Sequence, residues 1–267
     1  DDKYSGLIKK WPYFPDSDIT LYAKWLDDYT GTAAGDFKIV SHQPDGDFES
    51  GPYIIEYTGI DRYCMIPLMQ WDEYIAGITK MREPFIDPST GEQMVDEYGN
   101  PVFIEGSAFA GNEVLEEVVF VHGSQVKYIM DGAFENCTSL RRIVLPSTLE
   151  YIGPNAFKNC VALEEVIFTG GGFNSLVIDE NAFYGCVSLK TITFESNVSF
   201  IGDNAFGGCV SLTSIYMNGE FPPEGNAPFE INEGMKIYVN RSINDVVVMN
   251  YKVRWPLYEQ YIVPKPQ

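Results

Sequence analysis

The chain has 267 residues, 45% apolar and 21% charged, a composition that describes one or two folded domains and excludes a disordered chain. Its 38 acids against 18 Lys and Arg give a formal charge of -20, which repels phosphate backbones and anionic lipid. Nucleic-acid binding is thereby close to excluded as a main role, and docking on anionic lipid is disfavoured. The longest apolar runs, such as Val118-Val119-Phe120-Val121, are strand-sized and far short of the roughly 18 residues of a membrane helix. There is no signal-peptide pattern, and the start at Asp1-Asp2 reads as that of a processed chain. The two histidines, His42 and His122, stand in loop-like surroundings without ligand-spaced partners and are expected at the surface.

In chain order, the first legible element is Ile19-Thr20-Leu21-Tyr22-Ala23-Lys24-Trp25, which resembles the closing strand of an internalin-type B-repeat. Residues 1–25 are therefore expected to be the C-terminal remnant of such a β module. Residues 26–103 are expected to form an N-terminal cap and opening coil, its Tyr53, Tyr57, Tyr63 and Trp71 packing the cap. Within it, Asp45-Gly46-Asp47-Phe48-Glu49 alternates acids as Ca²⁺ ligands do. It lacks the distal bidentate Glu, so a solvated turn is expected. Between about Met81 and Val102, Asp87-Pro88-Ser89-Thr90-Gly91 and Glu97-Tyr98-Gly99-Asn100-Pro101 are turn-formers, which predicts an inserted hairpin or loop.

From residue 104 the chain repeats. Ala-Phe recurs with its phenylalanine at Phe109, Phe134, Phe157, Phe183 and Phe206, and a degenerate Pro228-Phe229 closes the series at spacings of 25, 23, 26, 23 and 23 residues. Five positions before each Phe stands Ile104, Ile129, Ile152, Ile178 or Ile201; three after it come Asn112, Cys137, Cys160, Cys186 and Cys209. Six after come Leu115, Leu140, Leu163, Leu189 and Leu212, and the Leu-x-x-Ile-x-Phe stretch that follows alternates as a strand with one buried face. The Asn/Asp-rich segment before Ala-Phe is expected to cap a short helical turn. A single coil cannot cover its own apolar side, so the coils must stack into a solenoid.

The pattern Ile-Gly-x-x-Ala-Phe-x-x-Cys-x-x-Leu-x-x-Ile-x-Phe, clearest from Ile201 to Met217, resembles the BspA-like (type 5) leucine-rich repeats of bacterial surface proteins. Ile54 to Gly59 with Met65-Ile66-Pro67 looks like that family's opening coil, and Ile237-Tyr238-Val239 with Trp255 to Tyr258 like its closing strand and terminal helix. The resemblance implies a mostly β, right-handed leucine-rich-repeat solenoid with short helical turns and caps at both ends, the solenoid spanning 104–267 and its C-terminal cap about 230–263. It also implies an extracellular protein of the bacterial cell surface that adheres to a host or matrix protein.

Four cysteines share one register and no Cys-x-x-Cys occurs, so reduced packing thiols are expected in preference to disulfides or zinc. No nucleophile elbow, phosphate loop or His-Glu-x-x-His is present. Paired acids such as Glu116-Glu117 and Glu164-Glu165 fall at outward positions where solvation explains them. The chain thus reads as a non-enzyme without cofactor or metal. By strand alternation Val119, Val144, Ile167 and Tyr216 face outward, as do Phe103, Tyr128, Tyr151 and Phe200, each one residue before the inward Ile. The latter four are expected to form an exposed aromatic stripe, and all eight are candidate partner-binding residues. A glycan stacked on the stripe, or a structural spacer, are the alternative readings. The capped ends argue for a monomer.

Overall fold

The computed structural model describes residues 37–42, 51–57, 62–66, 69–70, 73–74, 77–78, 81–84, 103–106, 108–120, 124–168, 176–194, 198–219, 221–240 and 246–266. The stretch resembling a B-repeat, the Asp45/Asp47 turn, Trp71 and His122 lie outside them.

The N-terminal part contains strands β1 (Phe37–His42), β2 (Gly51–Tyr57), β3 (Tyr63–Ile66), β4 (Met69–Gln70), β5 (Glu73–Tyr74), β6 (Gly77–Ile78), β7 (Met81–Pro84) and β8 (Phe103–Gly106). The coils add β9 (Glu117–Phe120), β10 (Tyr128–Ile129), β11 (Arg142–Leu145), β12 (Tyr151–Ile152) and β13 (Glu165–Phe168). They continue with β14 (Leu176–Ile178), β15 (Thr191–Phe194), β16 (Val198–Ile201), β17 (Ser214–Met217) and β18 (Lys236–Val239). Helix α1 (Val246–Arg254), a 3₁₀ turn at Pro256–Tyr261 and β19 (Ile262–Pro264) close the chain. Each coil contributes one strand to each of two walls. One wall is a seven-stranded sheet in the order β1-β2-β6-β10-β12-β14-β16. The other carries the Leu-x-x-Ile-x-Phe strands and is divided into two parallel sheets, β3-β9-β11-β13 and β15-β17-β18-β19.

Phe109, Phe134, Phe157, Phe183 and Phe206 stand in one column, fully buried, with ring centroids 4.5 to 5.0 Å apart and planes within 11° of parallel. Tyr57 opens the column 5.0 Å from Phe109, and Phe229 ends it 5.3 Å from Phe206. The backbone fixes this spacing: each Phe N–H donates to the carbonyl just before the Phe of the next coil, as Phe134 does to Ala156 and Phe157 to Ala182, both at 2.7 Å, and Phe206 to Pro228 at 2.8 Å. Parallel peptide pairing sets neighbouring chains about 4.8 Å apart, so identical rings one above another must stack. The Leu row and the Ile rows are buried in the same core.

The turns between walls are built from i to i+3 bonds such as Ala133 N–H to Met130 O and Cys137 N–H to Phe134 O. Asn155, Asn181 and Asn204, taken from sequence as helix caps, instead hold left-handed φ of 56°, 55° and 54°, with Gly132 in the same position one coil earlier. Two residues past the Phe the backbone is left-handed again, at Gly111, Asn136, Asn159, Gly185 and Gly208. Asparagine and glycine tolerate this conformation; a Cβ-bearing residue without a local hydrogen-bonding side chain pays about 1–2 kcal/mol there. Asn155→Ala is accordingly expected to lose about 1–2 kcal/mol in urea denaturation, while Asn155→Gly stays within about 0.5 kcal/mol of the parent. Equal losses for the two variants would show that the amide, not the backbone, sets the requirement. The glycine of each Ile-Gly pair serves close approach, since a Cβ on Gly202 would lie 2.5 Å from the Glu180 amide nitrogen of the preceding coil.

The inserted segment alters one expectation. Phe103 and Ile104 belong to β8, which pairs antiparallel with β7, Phe103 opposite Pro84. The strand beside Tyr128-Ile129 is Gly77-Ile78, and Ile78 is the buried rung of the Ile column. The insertion separates this coil's strand from its Ala108-Phe109 turn, so the five-residue offset that finds the inward Ile elsewhere lands on the returning strand of the hairpin.

Candidate functional site

The cysteine register is internal. Cys137, Cys160, Cys186 and Cys209 are buried, and their thiols donate to the carbonyls of Phe109, Phe134, Phe157 and Phe183 at 3.0, 3.1, 3.3 and 3.2 Å. Each thiol thus ties its coil to the one before. Burial pushes the Cys160 and Cys186 thiols well above their ordinary range, which suppresses the thiolate. Cys160 and Cys186 are expected to resist iodoacetamide in the native protein at about pH 8 and to react fully in urea, as read by peptide mapping. Rapid native alkylation would contradict a closed core. At the ends the slot is asparagine. Asn112 Oδ1 accepts the amides of Val114 and Leu115, and Asn232 Nδ2 donates to the carbonyls of Cys209 and Leu212.

The outward rows divide between the two walls. Tyr128, Tyr151, Val177 and Phe200 lie in register along the seven-stranded sheet, with Gly77, not Phe103, beside Tyr128. The stripe is not exposed as the sequence suggested: Tyr128 is only 5% accessible, and Tyr151 and Phe200 are half-buried. Side chains set one above another at strand spacing cover each other, which leaves edges and tips to solvent. The Tyr151 hydroxyl donates to Asp179 Oδ2 at 2.9 Å, and burial with this carboxylate holds the phenol above its ordinary range.

Val119, Val144 and Ile167 form a row across β9, β11 and β13 on the other wall, where Val119 is buried and the other two half-buried. Tyr216 belongs to a separate row with Thr193, Tyr238 and Val263. The eight candidates therefore do not meet in one patch. Two features beside them were missed. Tyr238 stacks on Tyr216 with centroids 4.7 Å apart and planes 15° from parallel, a pairing that aligning Ile237-Tyr238-Val239 with the repeat would have revealed. Arg142 lies between Glu117 and Glu165, bonded to both and 2.8 Å from the latter, while Arg141 meets Glu164 at 2.9 Å and Arg62 meets Glu116 at 3.2 Å. The paired acids read as merely solvated are thus joined rung to rung, with Arg142 between the glutamates of the two neighbouring coils.

The repeat frame, the phenylalanine column and the parallel walls coincide with a match to the BspA type leucine rich repeat region, in six copies over residues 102–236. The chain belongs to this family. The BspA-type match spans half the chain and contains every Ala-Phe turn. Among solved structures, the chain is similar to a leucine-rich-repeat protein of T. pallidum, at 22% identity over 86% of this chain and 92% of that one, with a TM-score of 0.52. It is also similar to a leucine rich cell surface protein of Faecalibacterium prausnitzii, at 19% identity over 80% of this chain and 52% of that one (TM-score 0.46). A leucine-rich-repeat protein of Bacteroides ovatus is 18% identical over 79% of this chain and 55% of its own, with a TM-score of 0.44. The chain thus spans about half the length of the latter two proteins. No curated protein sequence matches the chain. BspA-type repeats make a protein-interaction module, generally non-catalytic. Among the described residues no helix is long and apolar enough to cross a membrane, and no three His, Cys, Asp or Glu side chains come together as a metal-ligand set.

Proposed function

We propose that the chain is a non-catalytic recognition module displayed on the bacterial cell surface, where its Leu-x-x-Ile-x-Phe wall adheres to a host or matrix protein. Family membership supports surface display. The observation that carries the contact assignment is the outward chemistry of this wall. Val144, Ile167, Tyr216 and Tyr238 are half-buried at fixed rung spacing, and Arg142 is held by two carboxylates. Side chains so held lose little freedom on binding, the condition under which a modest patch gives useful affinity. The acidic balance favours a partner with basic patches.

The test is capture from host-surface and matrix extracts, followed by affinity measurement on the captured protein. Replacing Arg142, Tyr216 and Tyr238 together by Ser is expected to weaken binding at least roughly tenfold. Replacing Tyr151 and Phe200 by Ser is expected to leave it within about twofold. The reverse pattern would move the interface to the seven-stranded wall, and no effect of either change would leave the solenoid a spacer.

A further inference from the structure

The division of the strand wall lies between β13 and β15. At the neighbouring coil junctions one main-chain rung repeats. The Glu116 carbonyl accepts the amides of Arg141 and Arg142, Arg141 accepts those of Glu164 and Glu165, and Lys190 accepts those of Thr213 and Ser214. No such rung joins Glu164 to Lys190 and Thr191, and among the described residues no hydrogen bond links β13 to β15. The alternation of a parallel ladder turns the peptide groups of Thr191 and Thr193 away from β17 and those of Val166 and Phe168 away from β11. The two rows of peptide groups therefore face each other across an open seam. The opposite wall and the ring column run through unbroken, with β12 paired to β14 and Phe157 4.9 Å from Phe183. This is also the 26-residue unit, which carries the extra glycines Gly170-Gly171-Gly172 after β13.

The seam opens into a cleft of about 480 Å³ lined by Glu164, Glu165, Phe168, Lys190, Thr191 and Thr193 among others. Glu164 and Glu165 keep their arginine partners, whereas no carboxylate of the described residues pairs with the Lys190 ammonium. One rung beyond Thr193 stands Tyr216, whose ring has one face against Tyr238. Its other face is turned toward the small Thr193, which lines the cleft while Tyr216 stands one strand outside it. The lining thus offers two hydroxyls, an ammonium, carboxylates and open peptide donors and acceptors, and Tyr216 adds an aromatic face beside it.

We propose that this seam binds a neutral saccharide unit, with the apolar face of the sugar on Tyr216 and its hydroxyls on Thr191, Thr193, Lys190 and the open peptide groups. Sugar hydroxyls donate and accept at once, which suits facing rows of N–H and C=O groups, and aromatic stacking takes the C–H face. The cleft volume falls in the range of small-ligand sites. An inserted peptide strand fits less well: it needs the flanking strands about 9.6 Å apart, twice the usual spacing. Cα atoms of β13 and β15 approach within 8 Å. This assignment concerns a ligand distinct from the protein partner proposed above.

The experiment is saturation-transfer NMR and titration of the purified chain with neutral disaccharides built on glucose, galactose, mannose and N-acetylglucosamine. Binding of at least one is expected, weakened roughly tenfold by Tyr216→Ala and by Thr193→Val, the Thr193→Val protein melting within about 2 °C of the parent and so carrying the assignment free of the stack on Tyr238 that Tyr216→Ala also removes. Thr193→Val keeps the side-chain shape and removes the hydroxyl, and it leaves capture of the protein partner intact, so the two readings fail separately. Absence of binding at tens of millimolar sugar overturns the proposal. So does binding indifferent to both substitutions. An extended peptide that binds at these residues, where no sugar does, would likewise give the seam to a polypeptide.

Discussion

Phe157→Ala is expected to cost about 3–5 kcal/mol in urea denaturation and to raise amide hydrogen exchange most between residues 134 and 183. The ring is fully buried and stacked on both sides, 5.0 Å from Phe134 and 4.9 Å from Phe183. Truncation removes the transfer free energy of the ring, leaves a cavity between two coils whose backbones are held by direct hydrogen bonds between peptide groups, and breaks two stacked contacts worth about 0.5–1.5 kcal/mol each. The backbone rung from Phe157 N–H to Ala182 O limits how far the coils can close over the gap. Because each coil touches only its neighbours, the loss is local in the array, and the ends of the solenoid keep more protection than its middle. Phe157→Leu refills part of the space and is expected to retain about half of the lost stability. A loss below about 1 kcal/mol for the alanine variant would mean that the column is incidental to the stack.

How much of this was legible depended on whether a feature is set within one repeat or between repeats. The Phe, Leu and Cys columns follow from a fixed offset inside each unit, and parallel pairing turns a shared offset into a shared column. The same offset misplaced Ile104 because an insertion stands between strand and turn, and only pairing shows that Ile78 takes that rung. Strand alternation assigned Tyr128 and Val119 to the outer face, but alternation says nothing of what adjacent rungs cover, and both are buried. The Glu117-Arg142-Glu165 bridge is invisible in any single unit, since its members come from successive coils. The open seam leaves only an indirect trace in the sequence, a unit three residues longer than its 23-residue neighbours.

Tyr258→Phe is expected to cost about 2–4 kcal/mol, well above the roughly 1 kcal/mol usual for loss of one hydrogen bond. A solenoid that stops growing leaves its last coil with peptide groups and an apolar face that the next coil would have covered. In each earlier coil the Phe N–H donates onward to the carbonyl that precedes the next Phe, an Ala in four coils and Pro228 for Phe206; Phe229 has no further repeat beside it. The Tyr258 hydroxyl stands in for that coil. It accepts the Phe229 N–H at 3.0 Å and donates to the Phe229 carbonyl at 2.7 Å, while the Trp255 and Tyr258 rings meet the Phe229 ring edge-on at 5.8 Å each. Tyr258 is wholly inaccessible, so water cannot replace the oxygen, and its removal strands a buried donor and a buried acceptor at about 1–3 kcal/mol each. Tyr251→Phe supplies the control. Its hydroxyl reaches the Gly219 and Phe221 carbonyls at 3.3 and 3.1 Å and serves no amide, so about 1 kcal/mol is expected. Thermal melts of the two variants should separate in that order, and the Phe229 amide should exchange faster in Tyr258→Phe alone. Equal destabilisation by both, with the Phe229 amide still protected, would show that the cap works through its rings and not through this hydroxyl.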